Sequence, residues 1–149
     1  MIVADTSALL ALFNDREPDH EAVRRVVESH DDLVVVSPFV IAELDYLVAT
    51  RHGVDAELAV LAELSGGAYE LPSIGTDDLK TAAAVVAKYR DQDIGVADAS
   101  LVVLAALYRT RTVMTLDRRH FGVLRPLDGG RFRVLPFPAP RAGGGGRLR

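Results

Sequence analysis

Four acidic residues lie inside apolar stretches of this chain of 149 residues. They are Asp5 in Ile-Val-Ala-Asp-Thr-Ser, Glu43 in Phe-Val-Ile-Ala-Glu-Leu, Asp98 in Gly-Val-Ala-Asp-Ala-Ser and Asp117 in Val-Met-Thr-Leu-Asp-Arg. Carboxylates are seldom buried unless they are paired or bind a metal ion. Because all-oxygen ligand sets suit Mg²⁺ and Mn²⁺, the four acids predict a shared divalent cation. Such sites support phosphodiester hydrolysis by metal-activated water.

Each acid also has a purely structural interpretation when it is taken alone. Asp5 could cap a following helix, Asp98 could complement a helix dipole, and Asp117 could start a turn. Glu43 is harder to explain in this way, because helical spacing places it on one face with Val40, which we expect to point inward. We therefore expect Glu43 to be buried and to need a partner.

Short Val-rich runs between these acids predict the strands that position them. The runs are Ile2–Ala4, 33–36, 112–116 and 132–135, and the segment 68–71 is either a further strand or a loop. They are almost continuously apolar, which is typical of strands covered on both faces in a parallel sheet. Strands that alternate with helices predict an α/β fold, a three-layer α/β/α sandwich with a central, mainly parallel sheet.

The predicted helices cover 8–13, 20–29, 38–51, 56–64, 77–89 and 97–109. Ser37 and the proline after it form a helix start, and Gly53 suits the end of the same helix. Asp55 and Thr76 are predicted to cap the next two helices. The helices between 38 and 64 predict a helical hairpin, which we interpret as a dimer surface or a clamp.

This topology predicts that the four acids meet at one edge of the sheet. Asp5 and Asp117 follow strands, while Asp98 and Glu43 lie near the starts of helices, and in βα units these ends share an edge. Converging carboxylates repel one another unless a cation compensates them. We expect Asp5 and Asp98 to be the primary metal ligands, with Glu43 and Asp117 bound directly or through water. No pair of histidines has the spacing of zinc ligands.

The composition is that of one ordinary globular domain, which we assign to 1–138, followed by a flexible Gly/Arg tail at 139–149. The chain carries a formal charge of −4, from 17 basic and 21 acidic residues, and has no cysteine. If a cation compensates the four acids, the remaining charges balance and do not repel RNA. The apolar runs are too short to span a bilayer, and no signal peptide is visible, so we expect the cytoplasm.

Four segments together resemble the PIN-domain ribonucleases of the VapC toxin type. They are Val-Ala-Asp-Thr-Ser-Ala-Leu-Leu-Ala-Leu-Phe, Ser-Pro-Phe-Val-Ile-Ala-Glu-Leu, Gly-Val-Ala-Asp-Ala-Ser-Leu-Val and Thr-Leu-Asp-Arg-Arg-His-Phe, in this order over residues 1–138. The resemblance implies a Mg²⁺-dependent endoribonuclease, with Mn²⁺ as a substitute, that is the toxin of a type II toxin–antitoxin pair. It further implies a small VapB-like antitoxin as partner, an RNA substrate and a homodimer.

The resemblance also assigns roles to single residues. It implies that Asp5, Glu43, Asp98 and Asp117 form the catalytic, metal-binding cluster. It gives Ser7 and Thr115 a supporting role beside the metal, and it makes Asp93 an optional fifth acid. Asp93 is interpreted equally well as a solvated loop residue.

The residues after Asp117 leave two interpretations open. Arg118 and Arg119 could hold RNA phosphates, or they could lie in an exposed polar loop, as could His120, which we do not expect to bind a metal. Because most aromatic residues lie in core-like runs, we expect no base-stacking platform, and so a structured RNA such as tRNA or rRNA. The alternative function is a catalytically inactive PIN-fold module that binds RNA or protein.

Phosphatases that begin with a strand-end aspartate would need a second aspartate where Ser7 stands. Nucleotide-binding folds would need a Gly-rich loop after the first strand, and none is present there.

Overall fold

A single parallel sheet forms the centre of the structure, a computed structural model that describes residues 1–138; the predicted tail at 139–149 lies outside the described residues. The five strands are β1 (Ile2–Ala4), β2 (Val34–Val36), β3 (Tyr69–Glu70), β4 (Thr112–Met114) and β5 (Arg133–Leu135), in the spatial order β3-β2-β1-β4-β5. All four strand pairs are parallel. The predicted fold class is confirmed, and the segment 68–71 contains a strand at the edge of the sheet.

Helices connect the strands, as parallel pairing requires. The described chain has α1 (Thr6–Phe13), α2 (His20–Ser29), α3 (Pro38–His52), α4 (Val54–Leu64), α5 (Thr76–Lys88), α6 (Val96–Leu107) and α7 (Arg118–Val123), with a 3₁₀ turn at Arg90–Gln92. Crossovers between parallel strands are right-handed, and the strand order reverses direction after β3, so the helices before and after β3 cover opposite faces. Accordingly, α1 packs against α2 and α3, while α5 packs against α6.

The core lies on both sides of the sheet, which explains why the strands are not amphipathic. Every residue of β1 and β2 is buried. Helix α6 is buried at every position from 99 to 105, and it contacts β1, α5 and α3. None of the helices in the described part of the chain has the length and apolar character needed to cross a membrane.

Helix α3 begins as predicted, whereas two other predicted caps are wrong. The Ser37 hydroxyl accepts a hydrogen bond of 3.2 Å from the backbone N–H two residues on, and Gly53 ends the helix with φ of 87°. Asp55 does not cap α4, because Gly53 ends α3 and also precedes the first residue of α4. Thr76 is already helical, and Gly75 is the residue that precedes α5.

The order of the strands fixes where a site can form. The chain leaves β1 toward β2 on one side and returns on the other side at β4, so the carboxyl ends of β1 and β4 flank a topological switch point. Open α/β sheets bind their ligands in the crevice at such a point. Asp5 follows β1 directly, and its backbone N–H donates to the carbonyl of Met114, the last residue of β4, at 2.9 Å.

Candidate active site

Asp5 is buried at the carboxyl end of β1 and is held there by two hydroxyl groups. Only 6% of the residue is exposed. Its Oδ2 accepts a hydrogen bond of 2.8 Å from Thr115 Oγ1 and one of 3.1 Å from Ser7 Oγ. Although Asp5 stands at the N-cap position of α1, its side chain makes no capping bond. The carboxylate is therefore oriented by Ser7 and Thr115, the two residues that the sequence suggested as supports.

The same two hydroxyls connect the ends of β1 and β4. Ser7 Oγ and Thr115 Oγ1 are 3.2 Å apart, and they also accept hydrogen bonds of 2.9 Å from the backbone N–H groups of Leu116 and Asp117, respectively. All members of this hydrogen-bond network are short side chains and backbone groups. It fixes the position of Asp117 relative to Asp5 without using a charged partner.

Asp98 lies in the first turn of α6 and faces the other acids. Its side chain is 17% exposed. The pKa of Asp98 is raised to about 6. Burial is the largest cause, the negative charge of Asp5 is the next, and smaller contributions from Asp117 and Glu43 are opposed by His120. Part of the shift therefore comes from the convergence of the acids.

His120 lies between two of the acids, a contact that sequence analysis missed. Its Nδ1 is 3.1 Å from Oδ2 of Asp98 and 3.0 Å from Oδ2 of Asp117. Asp117 also caps α7, because its Oδ1 accepts a hydrogen bond of 3.1 Å from the backbone N–H of His120. Since Nδ1 carries at most one proton, it donates to one carboxylate at a time. The three-residue spacing from Asp117 was the only sequence signal for this contact.

The prediction that Glu43 is buried is wrong. The buried face of α3 carries Val40, Leu44 and Val48, which follow one another at intervals of four residues, and Glu43 lies beside this face and is exposed. It nevertheless lines the same cavity as Asp5 and Asp98. Glu43 therefore needs no buried partner, because its side chain is exposed and borders the cavity.

The acids surround one open cavity of about 600 Å³. Its acidic lining consists of Asp5, Glu43, Asp93, Asp98 and Asp117, accompanied by Thr6, Ser7 and His120 and by apolar residues such as Leu10, Phe39 and Leu47. No Lys or Arg belongs to the described lining. Asp93 is exposed at the rim, in a left-handed backbone conformation with φ of 59°. The structure thus brings all five acids that the sequence singled out to one cavity.

The donor set of this cavity fits a hard divalent cation that keeps some of its water. Within residues 1–138, no three acidic or histidine side chains stand close enough together to hold a metal ion directly. Mg²⁺ does not require such a cage, because it is commonly held by one or two carboxylates, several waters and substrate phosphates. Thr6 lines the cavity, and its Oγ1 is buried without a hydrogen-bond partner among the described residues.

Arg118 and Arg119 are exposed in the first turn of α7, so the exposed polar segment that the sequence suggested is a short helix and not a loop. Neither borders the cavity, although both follow Asp117 directly. The guanidinium group of Arg118 donates to the carbonyl of Pro136, just after β5. Among the aromatic residues, Phe137 is 63% exposed in this region, so it lies outside the core-like runs that led us to expect no base-stacking platform.

Comparison with known proteins gives one family and one similar curated protein. The PIN domain family matches residues 2–124. The chain is 63% identical over 135 residues to a protein named Ribonuclease VapC26 from Mycobacterium tuberculosis, and the match covers 91% of this chain and 100% of that protein. An identity this high over the whole relative is far above what a shared fold alone produces.

Solved structures show the same fold at low sequence identity. The M. tuberculosis toxin VapC20, described as cleaving the sarcin–ricin loop, superposes with a TM-score of 0.73 at 20% identity, covering 79% of this chain and 91% of that one. A toxin–antitoxin complex from Klebsiella pneumoniae gives a TM-score of 0.65 at 19% identity, covering 83% and 92%. These likenesses concern the arrangement of strands and helices.

Proposed function

The chain belongs to the PIN-domain family, and from this membership we propose that it is a metal-dependent endoribonuclease acting as the toxin of a toxin–antitoxin pair. The observation that carries the proposal is the convergence of five acidic side chains on one cavity whose described lining contains no Lys or Arg. The cavity lies at the carboxyl edge of a parallel sheet, where substrates of this fold class bind. A relative with 63% identity bears the name of a ribonuclease.

Asp5 and Asp98 are the proposed primary ligands of Mg²⁺, with Mn²⁺ as a substitute. Glu43 and Asp117 complete the set directly or through water, and Asp93 at the rim is an optional fifth acid. When bound, the cation supplies Lewis acidity to water and to the phosphodiester. Asp5 contributes a fixed orientation, because Ser7 and Thr115 hold one of its oxygens and leave the other unbonded within the described protein.

His120 places Nδ1 3.1 Å from Asp98 Oδ2 and 3.0 Å from Asp117 Oδ2, so an N–H at this position can donate to either carboxylate. If a cation were held by Asp98 and Asp117, it would replace the imidazole as their partner. His120 would stay beside the cavity, because its backbone N–H donates to Oδ1 of Asp117. It thereby limits the repulsion among the acids without acting as a metal ligand.

The proposed antitoxin site is a second cavity, of about 570 Å³, between α1, α3 and α4. Its lining includes charged residues such as Arg16, Arg51 and Glu63. Its apolar part includes Phe13, Val48 and Val60, together with Leu10, which also borders the acidic cavity. The two cavities are therefore neighbours. An antitoxin segment in the apolar one would reach the acids with an arginine, since a guanidinium group pairs with carboxylates in a bidentate manner.

We further propose cleavage of a structured RNA, tRNA or rRNA, in the cytoplasm by a homodimer. The acids are gathered in a recess, and the exposed cations Arg118 and Arg119 stand outside it on α7. Phosphate contacts of this kind position a backbone without reading its sequence, which favours recognition of a folded RNA by shape.

An assay of RNA cleavage by the purified protein tests the proposed activity. We expect cleavage with Mg²⁺ or Mn²⁺, loss of cleavage in EDTA, and recovery when the cation is restored in excess. Sequencing of the 5′ ends of RNA after induction in cells identifies the substrate, with one or two sites in tRNA or rRNA expected. Full activity in EDTA would refute the requirement for a metal ion. The absence of cleavage under every condition would favour an inactive binding module.

A further inference from the structure

An aromatic ring with a stacked arginine lies exposed at the end of β5. Phe137 is 63% exposed, and the guanidinium carbon of Arg133 lies 5.4 Å from the centre of its ring. This separation is within the range of a cation–π contact. Despite this contact, most of the Phe137 surface remains accessible. An exposed ring with an arginine against it has the composition of a base-stacking site in proteins that bind single-stranded nucleic acid.

The backbone next to Phe137 is fixed to the residues that hold the acids. Thr115, whose hydroxyl donates to Asp5, also donates its backbone N–H to the carbonyl of Leu135 at 3.0 Å. Arg118, which directly follows Asp117, donates its guanidinium to the carbonyl of Pro136. Phe137 therefore directly follows Pro136, which is hydrogen-bonded to the residue after Asp117. It lies two residues after Leu135, which is hydrogen-bonded to Thr115, a hydrogen-bond partner of Asp5.

Exposed arginines near Phe137 supply positive charge outside the acidic cavity. The described lining of the acidic cavity has no Lys or Arg, so contacts to neighbouring phosphates must come from outside it. Arg118, Arg119 and Arg133 are all exposed. Proteins that bind single-stranded nucleic acid combine such cations with aromatic rings on which bases stack, and arginine strengthens the stacking.

We propose that Phe137, Arg133 and Arg118 form a binding subsite for one unpaired nucleotide of RNA beside the scissile phosphate. The base stacks on the ring of Phe137, and the flanking phosphates pair with Arg118 and Arg133. The subsite rests on the proposed ribonuclease function and adds to it a requirement for at least one splayed-out base within the structured substrate. Such a base is the usual point at which proteins recognise a folded RNA.

Binding of a short single-stranded RNA tests the subsite apart from catalysis. The measurement uses fluorescence anisotropy in the Asp5→Asn background, which retains every residue of the subsite. Phe137→Ala should weaken binding about 5- to 150-fold, the range expected from loss of one base–aromatic stack. Phe137→Trp should bind at least as tightly as the parent. Tyr46→Ala is the matched control, since Tyr46 is 68% exposed on α3 and should not affect the affinity.

A 2-aminopurine base in the same RNA reports stacking directly. Its fluorescence should be quenched by the parent protein and by Phe137→Trp, and should recover with Phe137→Ala. Equal RNA affinity and equal quenching for the parent and Phe137→Ala would overturn the subsite. The same conclusion would hold if Phe137→Ala left RNA binding unchanged and weakened only the binding of an antitoxin. If the wild-type protein cleaves RNA and Phe137→Ala shows no defect in binding or quenching, the subsite is wrong but the proposed ribonuclease function stands. If the wild-type protein never cleaves RNA, the function on which the subsite rests is itself wrong.

Discussion

At the scale of single residues, the acids of the cavity differ in how they are held. Asp5 is bonded by two neutral hydroxyls, Asp98 and Asp117 share one imidazole, and Glu43 is exposed. Sequence patterns identified the acids because carboxylates are unusual in apolar runs. They did not reveal the position of His120, because its contact with Asp98 joins α7 to α6 and depends on the tertiary arrangement of these helices.

His120 should stabilise the protein when no metal is bound. In His120→Ala, Asp98 and Asp117 lose the proton donor between them and repel each other. We expect the midpoint of thermal unfolding in EDTA to fall by roughly 4 °C, corresponding to about 1 kcal/mol. Saturating Mn²⁺ should remove most of this difference. Calorimetry of both proteins with and without Mn²⁺ measures it, and an equal loss of stability in both conditions would argue against the proposed exchange.

The pKa of Asp98 makes the stability of the metal-free protein depend on pH. Because burial and the neighbouring acids raise this pKa from 3.8 to about 6, the folded state binds more protons than the unfolded state between these values. The contribution of Asp98 to the free energy of unfolding therefore falls as the pH rises from about 4 to about 6. Asp98→Asn should flatten this part of the profile in EDTA, as measured by urea unfolding at each pH, and an unchanged slope would contradict the cause assigned to the shift.

At the scale of elements, short buried strands were predictable, and a short polar helix was not. The short apolar runs of β1, β2 and β4 are typical of strands that are buried on both faces of a parallel sheet. Helix α7 was missed because its six residues include two arginines and a glycine and show no apolar periodicity. The helix starts where Oδ1 of Asp117 accepts a hydrogen bond from the backbone N–H of His120. From the sequence, Asp117 was expected only to start a turn. Glu43 was misjudged by one position on α3, because an inward face can be assigned only when the packing partners are known.

The joint between α3 and α4 depends on the left-handed conformation of Gly53, with φ of 87°. Gly53→Ala should therefore lower the free energy of unfolding by about 1 kcal/mol, although an added Cβ meets no atom within 4 Å. Gly122→Ala is the matched control, because this glycine is helical and equally unobstructed, and it should raise stability by about 0.5 to 1 kcal/mol. Urea denaturation measures both. Effects of the same sign would show that backbone conformation at position 53 is not the cause.

At the scale of the whole molecule, two cavities lie side by side and share Leu10 in their linings. The acidic cavity lies at the switch point of the sheet, and the apolar one lies between α1, α3 and α4. The sequence predicted the helical hairpin that forms part of the second cavity, but its shape depends on how α1 packs against α3. Positive charge is displaced from the acids to α7 and β5, so that the formal charge of −4 does not describe the surface beside the site.

A charge placed in the apolar cavity should block the antitoxin and spare the fold. Ala59 lines this cavity and is exposed, so Ala59→Glu adds a carboxylate without displacing core atoms. We expect binding of the co-expressed antitoxin to weaken at least roughly tenfold, since the added carboxylate would lose its hydration in the complex. Ala83→Glu, at an exposed position on α5, is the control. Equal retention of the antitoxin by both variants in a pull-down would place the antitoxin elsewhere.

The most direct test of the central claim is the rate at which Asp5→Asn cleaves the wild-type protein's RNA substrate in the presence of Mg²⁺. Single-turnover rates are compared for the wild type, Asp5→Asn and Asp19→Asn, the last changing an exposed aspartate whose side chain makes no capping bond. Since metal-assisted stabilisation of a transition state is worth several kcal/mol, Asp5→Asn should be at least about 100-fold slower, with the fold intact and Asp19→Asn fully active. A folded Asp5→Asn protein that cleaves RNA at the wild-type rate would contradict the assignment of the acidic cavity as the active site.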